Sequence, residues 1–145
     1  MPPIIFVFES FRPKEELLES FDDVFVLNTI NKDLKQVLDL AEKYPTRWII
    51  GIAKSRRSRF ESQAVNKLGK SKKVNRSNNK FSYKLHVPQS APFGVNSHYT
   101  YTFCNMAAYK LAERLSNPIS FCHLYPKDVD ILVEYMNSLS PEDLS

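Results

Sequence analysis

Between Pro3 and Ala53, short apolar runs alternate with segments of helical periodicity. Pro3–Phe8 reads as a buried strand, bounded by Pro-Pro on one side and Glu9 on the other. Pro13 suits the first turn of a helix, which Glu15, Glu16, Leu17, Leu18 and Phe21 continue. Val24–Leu27 is a second apolar run. Thr29 or Asn31 can cap the next helix, where Leu34, Val37, Leu38, Ala41 and Tyr44 recur at spacings of three and four and form one apolar stripe. Pro45 stops that helix, and Arg47–Ala53 reads as a third strand. Strand, helix, strand, helix, strand in so short a span predicts parallel pairing with helical crossovers.

Further along, Phe81–Val87 alternates as a strand or hairpin arm, and Pro88, Pro92 and Gly94 mark a loop. A helix is predicted from about Phe103 to Leu115, stopped by Asn117-Pro118. Ile119–Leu124 is the last strand. Asp128–Leu139 is a final helix with Val129, Leu132, Val133 and Met136 on one face. The predicted fold is α/β, a three-layer α/β/α sandwich around a largely parallel central sheet.

At 145 residues the chain suits one domain spanning 1–145, and 43% hydrophobic with 25% charged residues is a globular composition. No apolar stretch approaches a membrane span, so no membrane contact is expected. The N-terminus lacks the basic region of a signal peptide, and two cysteines make no disulfide framework. A reduced, cytoplasmic setting is the expectation. Two Cys with three His leave little material for a zinc site, so no metal is expected.

Charge is distributed unevenly. Lys54–Lys80 holds ten Lys/Arg against the single acid Glu61, a local charge of +9 in a chain of net +4. Such a stretch suits phosphates, although a solvated loop is the plainer reading. Ser, Asn and Lys dominate at about 67–80 with few apolar side chains to anchor them, so a flexible basic loop is expected there.

In open α/β sheets, active sites gather at the carboxyl ends of strands. Three polar residues fall near such ends: Glu61 shortly after the third strand, Cys104 at the start of a helix, and His123 at the end of the last strand. A helix N-terminus favours a thiolate, an imidazole can take the thiol proton and return it to a leaving amine, and a carboxylate can orient the imidazole. Each residue also has a simpler reading. A cysteine in an apolar stretch is usually a small buried hydrophobe, which is how Cys122 reads outright, and His86 and His98 read as surface or structural residues.

The wording around these residues adds to that reading. Gly51-Ile52-Ala53 followed by Glu61-Ser62-Gln63-Ala64-Val65-Asn66 resembles the Gly-Leu-Ala and Glu-x-x-Ala-Ile-Asn segment of the pyroglutamyl peptidases. Phe103-Cys104-Asn105, with Tyr109 five residues after the Cys, resembles their Cys-Asn-x-x-x-Tyr segment. Phe121-Cys122-His123-Leu124-Tyr125-Pro126 is similar to their Phe-Ile-His-x-Pro segment, and Phe8-Glu9-Ser10-Phe11 to their Gly-Phe-Glu-Pro-Phe-Gly turn. The matches follow the family order along nearly the whole chain.

The resemblance implies a short, divergent cysteine exopeptidase acting on peptides with an N-terminal pyroglutamate, without cofactor. Cys104 would be the nucleophile, His123 the base and acid, and Glu61 the carboxylate orienting His123. Phe8 and Phe11 would line the pyroglutamyl pocket. Where that family carries an Arg after the Glu-x-x-Ala-Ile-Asn segment, this chain has Ser71, with Lys70, Lys72 and Arg76 nearby. A homo-oligomer stays open. The alternative is a catalytically inactive member that binds nucleic acid or another polyanion through the basic 54–80 stretch. That stretch has only Phe60, Phe81 and Tyr83 near it as aromatics, which ranks nucleic acid below peptides as a partner.

Overall fold

A computed structural model describes residues 2–139. The expected alternation opens the chain: β1 (Ile4–Phe8), α1 (Lys14–Ser20), β2 (Val24–Leu27), α2 (Ile30–Lys43) and β3 (Ile49–Lys54). Four short strands follow, β4 (Arg59–Glu61), β5 (Gln63–Val65), β6 (Ser82–Lys84) and β7 (Gly94–Asn96). Then come α3 (Phe103–Ala112), β8 (Ile119–Leu124) and, after one 3-10 turn at Pro126–Asp128, α4 (Val129–Ser138).

The main sheet has the strand order β2-β1-β3-β8-β4-β7. Its first four strands are mutually parallel, while β4 runs antiparallel to β8 and parallel to β7. β5 and β6 form a separate antiparallel pair. The fold is α/β with a largely parallel central sheet covered on both faces.

Alternation along each strand assigns its side chains to one layer or the other. Ile4, Phe6, Ile49, Ala53, Ile119 and Phe121 pack with α2 and α3; Ile5, Val7, Ile50, Ile52, Cys122 and Leu124 pack with α1 and α4. Burial on both faces is why these strands read as continuous apolar runs. Gly51 sits where the first layer is tightest: a Cβ there would lie 2.2 Å from the Phe6 ring and 2.7 Å from Phe121.

Leu34, Val37, Leu38 and Ala41 are the buried face of α2, but Tyr44 is not part of that stripe. It follows the last helical residue and is 41% exposed, with the Arg47 guanidinium over its ring. Nor does the Thr29 side chain cap α2. The Asp33 carboxylate accepts the backbone N–H groups of Asn28 (2.7 Å) and Thr29 (2.8 Å) instead, and those bonds hold its pKa below the usual value.

The 67–80 segment is tied down by polar side chains where apolar ones are few. Asn66 accepts the Asn75 N–H (2.8 Å) and donates to the carbonyls of Asn75 (2.8 Å) and Asn78 (2.9 Å). The side chains of Asn75 and Asn78 both donate to Glu113 Oε2, and Tyr109 Oη donates to the Lys80 carbonyl at 2.6 Å. Gly69 makes the turn at φ +65°, in the region glycine enters without strain.

Candidate active site

His123 is on β8, and the alternation that sends Cys122 to the α1/α4 layer turns His123 toward α3. The antiparallel pairing of β4 with β8 sets Arg59 opposite His123 and Phe60 opposite Cys122. Glu61, two residues beyond Arg59, shares the face of Arg59 and reaches the imidazole: Glu61 Oε1 lies 2.7 Å from His123 Nδ1.

The carboxylate is almost fully enclosed, and its other partners are also fixed. Arg59 Nε donates to Oε1 at 3.2 Å, and Asn96 Nδ2, from the strand paired in register with β4, donates to Oε2 at 2.8 Å. Burial works against the charge on Glu61. Hydrogen bonds from His123 and Asn96, with the positive charges of His123 and Arg59, outweigh it and hold the carboxyl below its ordinary pKa. Burial also works against a charged His123. Hydrogen bonding and charge interaction with Cys104 and Glu61 outweigh that too and push the imidazole up to about 9. The Phe121 ring stands 5.2 Å from the imidazole, centroid to centroid.

Cys104 is the second residue of α3, whose first intrahelical bond runs from the Met106 N–H to the Thr102 carbonyl at 3.1 Å. The amides of residues 103–105 therefore precede the helical ladder and are available at its opening. Buried Asn105 locks this end of the helix. Its Oδ1 accepts the Val65 N–H (2.7 Å), and its Nδ2 donates to the carbonyls of Val65 (2.8 Å) and Lys67 (3.0 Å). Cys104 is half-buried. Cys122 is wholly enclosed in the other layer, where burial and the nearby Glu61 and Asp128 charges raise its thiol pKa far above the usual value.

The sequence sets Glu61 shortly after the third strand, and the structure puts it at the end of a short further strand, β4, returning beside β8. Arg59 and Asn96 escaped that reading. The signal for Arg59 was present, since two residues apart on a strand means one shared face. Ser71, Lys70, Lys72 and Arg76 are all exposed, and the cation beside the acid is Arg59.

A cavity of about 10 Å³ adjoins Glu61 and His123, and its other walls are Gln63, Leu85, Thr100, Asn105, Ala108 and Phe121; Cys104 is not part of its lining. It is large enough for no more than a single water. Of the residues just upstream of Cys104, Thr100 walls this cavity, while Tyr99 and Tyr101 stand exposed. Phe8 is half-buried on the site's face of the sheet, 6.3 Å from the Phe121 ring, but does not line the cavity. Phe11 departs further from expectation. A turn closed by its N–H to the Phe8 carbonyl carries the chain over to α1, and Phe11 is wholly buried there among Val7, Leu17 and Phe21. It offers no surface to a ligand.

Among the described residues no cluster of three or more His, Cys, Asp or Glu is placed to hold a metal ion, and no helix is long and apolar enough to cross a membrane. The groups gathered here are an imidazole bonded to a carboxylate, with the Cys104 thiol interacting with the same imidazole.

No family model matches the chain, and no curated protein matches it significantly. Solved structures do. Pyrrolidone carboxyl peptidase from Thermus thermophilus is similar at a TM-score of 0.63 and 19% identity, over 96% of this chain and 92% of that one. Pyroglutamyl peptidase I from Bacillus amyloliquefaciens gives 0.66 at 12% identity, over 94% and 92%. The pyrrolidone carboxyl peptidase from Thermococcus litoralis gives 0.62 at 14%, over 86% and 77%. Over most of its length the chain has the fold of the pyrrolidone carboxyl peptidases.

Proposed function

We propose that the chain is a cysteine peptidase that removes an N-terminal pyroglutamyl residue from peptides, with Cys104, His123 and Glu61 as its triad. The observation that carries this reading is the 2.7 Å contact between His123 Nδ1 and Glu61 Oε1, with the helix-opening Cys104 beside the same imidazole. The shared fold and the four motif segments support the substrate class.

The Cys104 thiolate adds to the pyroglutamyl carbonyl carbon, and the electron pair of the C=O bond moves onto oxygen. Backbone N–H groups at the opening of α3 are the donors suited to that oxyanion. Imidazolium His123, protonated at neutral pH because it titrates near 9, gives its proton to the departing amine as the C–N bond breaks. A water, losing its proton to the now neutral His123, cleaves the thioester and frees pyroglutamate. Glu61 holds the ring and stabilises its charged form. Since the cavity is about 10 Å³ here, its walls, Thr100 among them, must shift for the lactam ring to enter.

Hydrolysis of a pyroglutamyl fluorogenic amide tests the assignment. The wild-type chain releases the fluorophore, and Cys104→Ala and His123→Ala each abolish release while retaining the wild-type circular dichroism spectrum. Activity that survives both changes removes the triad.

A further inference from the structure

Lys67, Lys70, Lys72, Lys73, Arg76 and Lys80 make no ion pair among the described residues. Folding supplies this segment with aromatic rings that the local sequence lacks. The Gly69 N–H donates to the Tyr101 carbonyl at 2.8 Å, laying the segment that leads into α3 alongside residues 67–69. Lys67 Nζ then sits 5.7 Å from the Tyr99 ring centroid and 5.2 Å from that of Tyr101. The Phe81 ring meets Tyr99 edge to face at 5.7 Å, and Lys80 Nζ lies 4.5 Å from the Tyr83 centroid. Phe81, Tyr99, Tyr101 and Phe103 are 52%, 38%, 40% and 61% exposed, a concentration of uncovered rings that soluble proteins rarely leave without use.

We propose that this stripe is a binding surface for single-stranded nucleic acid, with unstacked bases on Phe81, Tyr99, Tyr101 and Phe103 and phosphates against the lysines and Arg76. Flat exposed rings interleaved with unpaired cations are what base stacking and phosphate neutralisation together require. An acidic peptide would use the cations and leave the rings idle. A duplex would present phosphates with its base faces closed. The proposal stands on residues outside the triad and does not depend on the peptidase reading.

The test is fluorescence anisotropy of the full chain with a labelled dodecathymidylate between 50 and 300 mM salt. Log Kd should rise linearly with log salt, by about 0.7 for each phosphate contacted. Replacing both Tyr99 and Tyr101 by Ser should weaken binding about tenfold with the slope unchanged. Replacing both Lys72 and Lys73 by Gln should lower the slope by about 0.7 per cation removed. Circular dichroism checks folding, and Phe81→Ser repeats the ring test if the tyrosine pair fails it. The proposal is overturned by absence of binding at 50 mM salt, or by ring substitutions that leave affinity unchanged. Competition as effective from a duplex of equal length, polyglutamate or phosphatidylserine vesicles overturns it as well.

Discussion

Replacing Glu61 with Gln keeps a hydrogen-bond acceptor in reach of His123 Nδ1 and removes the charge. In the wild-type chain, burial disfavours the imidazolium, and hydrogen bonding and charge interaction with Cys104 and Glu61 more than offset this, raising the pKa from 6.5 to about 9. At 1.36 kcal/mol per pH unit, that difference is worth about 3 kcal/mol, the net of the two neighbours' favourable interactions over the cost of burial. The folded protein binds this proton more tightly than the unfolded chain. Its contribution is therefore fully present below pH 6.5 and is lost as pH rises through about 9. With Glu61→Gln, the His123 titration followed by proton–nitrogen NMR should move down by at least one pH unit. Urea stability should lose part of its decline between pH 6.5 and 9, and pyroglutamyl amidase activity should fall about 100-fold or more. A wild-type His123 that titrates near 6.5, or one that Glu61→Gln leaves in place, refutes the coupling.

Three further outcomes follow from the packing. Iodoacetamide should label half-buried Cys104 well before enclosed Cys122 at neutral pH, as peptide mass mapping will show; equal slow rates argue for two inert thiols. Gly51→Ala should cost about 1–3 kcal/mol in urea denaturation, because its methyl group must displace the Phe6 and Phe121 rings; a neutral result means that layer is looser than drawn. Asn66→Ala removes three bonds to the 67–80 segment and should make limited trypsin cleavage there at least several-fold faster; an unchanged rate means the asparagine clamp does not hold the loop.

The first half of the fold was readable because each strand is an apolar run closed by Pro or a charge and each helix carries a stripe. Val24–Leu27 and Ile119–Leu124 fall where the sequence predicts them. Three-residue strands were not readable: Arg59–Glu61 and Gly94–Asn96 are too short for a period of two to emerge, and pairing alone makes them strands. That gap explains why the strand carrying Glu61 went unread and why Asn96 was omitted. The bonding of the basic loop was hidden for another reason. Apolar content measures one kind of anchor, whereas Asn66, Asn75 and Asn78 hold their segment through amide bonds that composition reads as loop polarity. Phe11 shows the limit of a matched motif, since a turn can keep its wording and bury the ring it would have offered.

The carboxylate and the imidazole face each other from neighbouring strands of opposite direction, each pinned on its outer side, β8 by β3 and β4 by β7. A slip of one residue in β4 would flip Glu61 into the wrong layer, so their separation is locked by backbone ladders and owes nothing to surface loops. Residues 67–80 can accordingly be swapped for foreign sequence with the acid–base pair left in alignment. Grafting there is a route to new ligands on an unchanged chassis.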